Sequence, residues 1–343
     1  MTNTPSSQPG SYADDATLCW RNEKRLMVFA GRSNPELGAR IADVLGVRLG
    51  NVTLKTFANG EHYARYHESI RGSDLFIVQS PCGRDSLNDH VMELLIMIQA
   101  AKLASARRVT AVMPYFPYAR QDKKSSAREP ISARLMATLL EAAGADRVLS
   151  MDLHQGQIQG FFQIPVDHMT AVPMLADYFA FKDFGAPVVA VSADAGGVKL
   201  AKRFQAHIPA CGLAVLTKQR TAHNEAEVLH FIGDVEGKVA IIIDDMIDTG
   251  GSIVGAVETL YAHGARDVYA AATHGIFSPP ARERIRASDV RKVVVTDTIR
   301  IQLSPADDKI EVLSVAGVLA NVIRAVFTDD SVSDIFAGEH QLF

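Results

Sequence analysis

Two adjacent carboxylates and a loop of small residues stand close together in the second half of the chain. Asp244 and Asp245 follow the apolar run Val239–Ile243, and the loop Asp248–Ser252 (Asp-Thr-Gly-Gly-Ser) comes next. Such a loop running into a helix offers free backbone N–H groups and a partial positive charge, which suit a phosphate group. Carboxylates at the end of a strand can turn toward hydroxyl groups or toward a hard cation. The stretch predicts a cradle for a sugar phosphate rather than a solvated turn, and Asp248 lies beside that phosphate or caps the following helix.

A second group of residues supplies positive charge. The stretch Tyr115–Pro130 follows another predicted strand and contains Arg120, Lys123, Lys124 and Arg128. Its aromatic residues can stack on a purine or pack beneath a loop, and its cations can meet a polyphosphate, Arg120 through paired hydrogen bonds. The alternative is a solvated basic loop, and the position at the end of a strand favours the binding function.

Three further strand ends carry candidate functional residues. Asp152 and His154 stand two residues apart after a strand, so both side chains can face one side, and His154 could bind a metal or phosphate or be structural. Asp194 precedes two glycines and a helix, and is a candidate Mg²⁺ ligand because Mg²⁺ takes one or two carboxylates with substrate oxygens and waters. Lys218 and Arg220 alternate on one face after a strand, where they can stabilise charge that grows on a transferring phosphoryl group.

Strands that alternate with helices position these residues. The predicted strands are Leu26–Ala30, Val52–Lys55, Asp74–Gln79, Arg108–Met113, Val188–Val191, Leu213–Leu216, Val239–Ile243, Val268–Ala272 and Lys292–Thr296. The alternation predicts an α/β fold of two similar domains, each a mainly parallel sheet flanked by helices, with ligands beyond the carboxyl ends of the strands. We expect a disordered N-terminal tail at residues 1–24, a first domain at 25–165 and a second domain at 166–343.

The composition excludes several classes of protein. A formal net charge of -4 over 343 residues argues against nucleic-acid binding as the main function of the protein. Three cysteines, odd in number and without a CxxC pair, indicate a reducing compartment. No run approaches about 18 consecutive apolar residues, so we expect neither secretion nor a membrane span, and a cytoplasmic location.

The motifs together resemble the ribose-phosphate pyrophosphokinase family, which makes phosphoribosyl pyrophosphate (PRPP). The stretch 244–252 by itself is also similar to the PRPP loop of type I phosphoribosyltransferases. Those transferases lack the motifs Tyr118–Asp122 (Tyr-Ala-Arg-Gln-Asp) and Asp152–Phe162, which this chain has. With Phe57–Glu61 added, the resemblance runs from about Leu26 to Phe336. It implies domains that are each similar to a type I phosphoribosyltransferase.

The resemblance implies a role for each candidate position. ATP is bound by Asn59, Glu61, Arg120, Gln121 and His154, and ribose 5-phosphate by Asp244, Asp245, Asp248, Thr249, Gly250, Gly251 and Ser252. Mg²⁺ is the implied cofactor, with His154 and Asp194 as its protein contacts. The implied catalytic residues are Lys218 and Arg220, on a loop that closes over the reacting phosphate. Asn59 and Glu61 reach the adenine from a neighbouring subunit, which implies self-association at least as a dimer and usually as a hexamer.

The implied reaction is an in-line attack by the 1-hydroxyl of ribose 5-phosphate on the β-phosphorus of MgATP, which leaves AMP. No covalent enzyme intermediate is needed, so positioning and charge neutralisation carry the catalysis. Two alternatives are a non-catalytic regulatory relative that assembles with active subunits and a phosphoribosyltransferase. The presence of Lys218, Arg220 and His154 disfavours the first, and the motif Tyr118–Asp122 disfavours the second.

Overall fold

The structure, a computed structural model, describes residues 24–84, 86–219 and 228–336. Its first half contains β1 Leu26–Ala30, α1 Pro35–Leu45, β2 Val52–Thr56, β3 His62–Tyr66, β4 Asp74–Val78, α2 Leu87–Leu103, β5 Arg108–Met113, α3 Ser132–Ala143, β6 Arg147–Met151, β7 Val166–Met169 and α4 Val172–Ala180. Its second half contains β8 Val188–Ser192, α5 Val198–Ala206, β9 Gly212–Gln219, β10 Val228–Ile232, β11 Val239–Ile247, α6 Gly251–Ala262, β12 Asp267–Gly275, α7 Ala281–Ala287, β13 Lys292–Thr296, β14 Ile310–Leu313 and α8 Ala316–Thr328. Short 3-10 helices lie at Gly156–Phe161 and Ser333–Phe336.

Two sheets carry the fold. The first has the order β1-β4-β5-β6-β7, and every pair in it is parallel. The second has the order β10-β9-β8-β11-β12-β13-β14, and its only antiparallel pair in the described ranges joins β9 to β10. Strands β2 and β3 form a separate antiparallel hairpin. The prediction of an α/β fold with two mainly parallel sheets flanked by helices is confirmed.

Continuous apolar runs place the central strands in the interior. All of β4 is buried, and so is the Val239–Ile243 part of β11, as expected for parallel strands that helices cover on both faces. One hydrophobic cluster draws on both halves, with Phe76 and Leu149 of the first sheet beside Ile241 of the second. Helices α1 and α8 pack against each other within it. The sheets are therefore joined by a shared core.

The start of α1 shows how local sequence sets an element. Asn34 is the N-cap, its side-chain oxygen accepts a hydrogen bond from the Leu37 backbone N–H at 3.2 Å, and Pro35 takes the first helical position. The Asn34 amide also donates to the Asp297 carbonyl at 2.8 Å. One cap residue thus begins a helix and ties the two halves of the chain together.

The sequence also predicted an N-terminal tail and a boundary between two domains. The predicted tail lies outside the described residues except for Lys24. The predicted division between residues 165 and 166 falls directly before β7, whose pairing with β6 adds it to the first sheet. The two-domain division stays a proposal, and we propose to place it after β7. No helix within the described ranges is both long and apolar enough to cross a membrane.

Candidate active site

The carboxyl ends of strands from both sheets surround two adjoining cavities. The larger, of about 350 Å³, lies between the loop after β6 and the start of α5. The smaller, of about 190 Å³, lies over the loop between β11 and α6. Both are lined by His154, Asp194, Asp244 and Asp245. Four predicted site residues from three separate strand ends therefore meet at one cleft.

The loop Asp248–Ser252 forms the floor of the smaller cavity. Gly250 adopts a left-handed conformation (φ +73), which a residue with a side chain would adopt only with strain. Helix α6 then begins at Gly251 with no side chain capping its N-terminus. The first N–H groups of a helix have no partner within the helix, and together with the helix dipole they favour an anion. This geometry fits the predicted phosphate cradle.

Asp248 does not cap α6, which was one of its two predicted functions. Its carboxylate instead accepts a hydrogen bond from Arg120 Nη1 at 2.8 Å. Arg120 belongs to the loop after β5, so this ion pair crosses from the first sheet's loops to those of the second. The structure thus brings a residue predicted to bind ATP to the wall of the predicted sugar-phosphate pocket.

Asp244, Asp245 and His154 are linked by hydrogen bonds and line both cavities. The backbone N–H of Asp245 donates to Asp244 Oδ1 at 2.9 Å, and Asp245 Oδ2 lies 2.8 Å from His154 Nδ1. Burial and the neighbouring charge of Asp245 raise the pKa of Asp244 to about 8. Burial opposes ionisation of Asp245, but the hydrogen bond and the charge of His154 outweigh it and lower the pKa of Asp245. The same hydrogen bond raises the pKa of His154, which favours a protonated imidazolium against an ionised Asp245.

Asp194 lies near the start of the turn between β8 and α5. Its Oδ1 accepts a hydrogen bond from the Gly197 backbone N–H at 2.8 Å, and its carbonyl accepts one from Ser192 Oγ at 2.7 Å. The turn therefore holds the carboxylate at the junction of the two cavities, with Oδ2 left for a ligand. Within the described ranges, no three His, Cys, Asp or Glu side chains are placed to hold a metal ion together.

The other predicted site residues lie away from this junction. Asn59 and Glu61 are exposed at the tip of the β2–β3 hairpin, where the Glu61 N–H donates to Asn59 Oδ1 at 3.3 Å, and neither residue lines the two cavities. Gln121 is exposed beside α3 and accepts a hydrogen bond from Ser132 Oγ at 2.6 Å. Lys218 lies in β9, and Arg220 lies outside the described residues.

Asp152 and His154, which can face one side by the sequence prediction, both line the larger cavity but have different hydrogen-bond partners. Asp152 has a left-handed backbone (φ +37), which ends the strand alternation, and its carboxylate is buried. It accepts hydrogen bonds from the Ala171 N–H at 2.8 Å and from Thr273 Oγ1 at 2.6 Å. His154 Nδ1 lies 2.8 Å from Asp245 Oδ2 instead. The two residues of one short motif are therefore held by different partners.

Several residues of the larger cavity were not predicted. Lys199 and Arg203, one helical turn apart on α5, line it together with Gln155, Gln157 and His168. The i, i+4 spacing of the two cations directly after the Asp194 turn is the sequence signal that could have identified them. Neither cation stands at a strand end, so the strand-end rule alone does not find them.

The known proteins to which this chain is similar in sequence are named for the same activity. The family model described as the N-terminal domain of ribose phosphate pyrophosphokinase matches residues 26–144, and that of the phosphoribosyl synthetase-associated domain matches residues 212–337. The ribose-phosphate pyrophosphokinase of Clostridium acetobutylicum is 49% identical over 92% of this chain and 98% of its own. Ribose-phosphate pyrophosphokinase 1 of Spinacia oleracea is 47% identical over 97% of this chain and 98% of its own. The crystal structure of phosphoribosylpyrophosphate synthetase from Mycobacterium smegmatis superposes with a TM-score of 0.83 at 48% identity, covering 89% of this chain and 100% of that one.

Proposed function

The chain belongs to the ribose-phosphate pyrophosphokinase family, and from this we infer how its cleft carries out the reaction. The protein is a ribose-phosphate diphosphokinase, which transfers the pyrophosphoryl group of ATP to the 1-hydroxyl of ribose 5-phosphate and yields PRPP and AMP. One observation supports the assignment of the cleft most directly. The cavity over the loop Asp248–Ser252 shares a wall with the cavity that His154 lines, so the two substrates can meet there.

We propose that ribose 5-phosphate occupies the smaller cavity. The loop residues Asp248, Thr249, Gly250, Gly251 and Ser252 hold its 5-phosphate, and Asp244 and Asp245 take the ribose hydroxyls. The start of α6 supplies N–H groups for a dianion, and carboxyl groups suit vicinal hydroxyls. Burial and the charge of Asp245 raise the pKa of Asp244, which favours its protonated form, and a protonated carboxyl can donate as well as accept.

We propose that ATP binds across the larger cavity and that its triphosphate reaches the wall of the smaller one. Arg120 and His154 face the phosphates there, and Gln121 lies near the adenine. Asn59 and Glu61 are exposed on a hairpin that does not line the cavities of its own chain. This position fits a hairpin that completes the site of a neighbouring subunit, so we propose self-association at least as a dimer, with a hexamer as the expected form.

We propose Mg²⁺ as the cofactor, with Asp194 and His154 as its protein contacts. The donor set fits an ion that takes one or two protein groups and fills its other positions with phosphate oxygens and waters. Asp194 offers an oxygen at the junction of the cavities, and in the described ranges no fuller set of protein ligands competes for the ion. Bound Mg²⁺ would neutralise charge on the triphosphate.

The residues of the cleft perform positioning and charge neutralisation. The loop and Asp245 orient the 1-hydroxyl, while Arg120 attracts the triphosphate toward it and Asp245 holds Nδ1 of His154. We propose that Lys218 and Arg220 neutralise charge on the β-phosphate as the bond to the leaving AMP breaks. Holding both substrates in line is enough to supply a large rate enhancement without a covalent intermediate.

The experiment that tests this proposal compares product formation in matched variants. Wild-type protein is mixed with ribose 5-phosphate, ATP and Mg²⁺, and AMP and PRPP are separated by ion-exchange chromatography. We expect the double variant Asp244→Asn/Asp245→Asn to lose product formation. The control Asp234→Asn removes an exposed carboxylate that pairs with Lys238 outside the cleft, and we expect it to retain wild-type rates. Equal activity in both variants would contradict the assignment of the cleft.

The chemical state of the thiols bears on where the enzyme works. Cys82 and Cys211 are free thiols, and burial raises the pKa of each. Unpaired cysteines are typical of a reducing compartment. Since ATP and ribose 5-phosphate are the substrates, we propose a cytoplasmic location with no nucleic-acid or membrane partner. Fractionation of cells followed by detection of the chain with an antibody tests it, and recovery with a membrane or secreted fraction would contradict it.

A further inference from the structure

A buried polar cluster lies directly behind the cleft, at the junction of the two sheets. Its members are Asp152, Thr273, His274 and Thr298, and each is at most 5% exposed. Polar groups in such a position cost free energy unless they are hydrogen-bonded. Asp152 also lines the larger cavity, but the proposed function gives none of the four a contact with a substrate. Their burial therefore calls for another function.

The hydrogen bonds of this cluster cross from β12 of the second sheet to the end of β6 of the first. Thr273 Oγ1 donates to Asp152 Oδ2 at 2.6 Å. His274 Nε2 donates to the carbonyl of Met151 at 3.0 Å and lies 3.3 Å from that of Asp152. On its other side, His274 Nδ1 lies 2.9 Å from Thr298 Oγ1. The imidazole is thus held at both nitrogens, and it faces the Tyr115 ring edge-on at 5.1 Å.

The backbone at Asp152 shows what these bonds hold in place. A left-handed conformation at a residue other than glycine costs free energy and persists only where its surroundings fix it. Here the surroundings are the Thr273 hydroxyl, the Ala171 N–H and the His274 ring. Since the turn at Asp152 sets the direction of the chain two residues on, these bonds aim His154 into the cleft.

His274 is also connected to Asp245, through the pairing of β11 with β12. In the β11–β12 ladder, Met246 pairs with His274, so the backbone beside Asp245 is fixed to the backbone of His274. The contacts close a ring that runs from Asp152 along the chain to His154, across the 2.8 Å bond to Asp245, and back through His274. Loosening one side of this ring shifts the bond between His154 and Asp245.

We infer that Thr273 and His274, acting through Asp152, are positioning residues that set the contact between His154 and Asp245 and thereby the affinity for the ATP phosphates. The inference rests on the proposed function, because His154 is the group proposed to meet those phosphates. It also assigns the Asp152 carboxylate to the junction between the sheets, since that carboxylate is buried and occupied by protein donors.

The experiment is a double-mutant cycle between Thr273 and His154, with binding as the readout. Thr273→Val removes the hydroxyl and keeps the shape, and Thr110→Val makes the same change at another buried strand position, in β5. The dissociation constants for ATP with Mg²⁺ and for ribose 5-phosphate are measured by calorimetry, so inactive variants are still informative. We expect Thr273→Val to weaken ATP binding about fivefold to tenfold, the loss of one well-made hydrogen bond, and Thr110→Val to leave it within about twofold.

The cycle separates positioning from general destabilisation. In the background of His154→Ala, Thr273→Val should change ATP binding by less than about twofold, because the residue through which it acts is gone. The same loss in both backgrounds, or no loss in either, would overturn the inference. If Thr273→Val fails to fold, His274→Gln takes its place in the cycle with His154→Ala. The glutamine amide can still donate a hydrogen bond to Met151. The product assay tests the proposed function separately, and failure of the wild type to form AMP and PRPP in it would reject that function.

Discussion

The buried cluster at the sheet junction and the open cleft in front of it are built from the same residue types. Asp152, Thr273 and His274 form the cluster, and His154 and Asp245 stand in the cleft, where His154 follows Asp152 by only two residues. In the cluster, protein donors occupy the carboxylate and both imidazole nitrogens are held. In the cleft, the polar atoms line cavities that can admit substrates. Burial and bonding partners, rather than residue type, distinguish the structural groups from the chemical ones.

The comparison predicts its largest effect for His154. We expect His154→Ala to lower kcat by about 100-fold or more, the loss typical of a preorganised charged donor in an active site. Its side chain is 34% exposed, so removing it leaves little buried empty space, and the thermal midpoint should shift by only a few degrees. Steady-state kinetics and calorimetric unfolding on the same preparation check both results. If His154→Ala lowers the thermal midpoint strongly but leaves kcat unchanged, His154 has a structural function like that of the buried cluster.

The opposite result is expected for His274. We expect His274→Ala to lower the free energy of unfolding by about 2–4 kcal/mol, because it empties a buried site and strands the hydrogen-bonding groups around it. Chemical denaturation with urea measures this loss. The loss of activity measured well below the transition should be smaller than that of His154→Ala. If the stability of His274→Ala equals that of wild type, the cluster does not hold the sheets together.

The two histidines should also respond to pH in opposite directions. Burial lowers the pKa of His274, so between the folded and the unfolded pKa the unfolded chain binds a proton that the folded chain does not. The stability that His274 contributes is therefore complete above pH 6.5 and declines as the pH falls below it. The bond with Asp245 raises the pKa of His154, so its contribution is complete below pH 6.5 and is lost as the pH rises through the folded pKa.

Thermal midpoints measured between about pH 5 and 8 test this contrast. His274→Gln should flatten the decline on the acid side, and His154→Gln should flatten the decline on the neutral to alkaline side. If the two variants flatten the same side of the profile, the two environments are not opposed as described.

The smallest effect is expected at the ion pair between Arg120 and Asp248. The Arg120 side chain is 58% exposed and that of Asp248 is 30% exposed, and exposed pairs contribute little because water and salt screen them. We expect Asp248→Asn to change the free energy of unfolding by less than about 1 kcal/mol. Urea denaturation at low and high salt checks this value. A loss of several kcal/mol would show that the pair locks the two halves together.

The sequence predicted regular elements and strand-end residues well. The buried run Val239–Ile243 and the loop before the next helix each follow from local pattern, and the structure confirms the strand and the loop. Strands β3, β7, β10 and β14 were not predicted, because they lie at sheet edges or in a hairpin and lack a long apolar run.

The partners of individual polar side chains were harder to predict. Asp152 and His154 are two residues apart, yet Asp152 bonds to Thr273 and His154 bonds to Asp245, and single-strand periodicity cannot show these partners. The pairing of Arg120 with Asp248 joins residues 128 positions apart, so it depends on how the two sheets pack. Contacts of this kind follow from tertiary structure and not from local sequence.

The central claim is that the cleft transfers a pyrophosphoryl group from ATP to ribose 5-phosphate. Phosphorus NMR of a reaction with ATP that carries oxygen-18 in the non-bridging positions of its β-phosphate tests it most directly, since the oxygen-18 shifts the resonance of the phosphorus that bears it. We predict that AMP and PRPP appear in equal amounts and that the label is found in the phosphate bonded to the ribose 1-oxygen. Formation of ADP with a singly phosphorylated 1-hydroxyl, or no transfer at all, would contradict the claim.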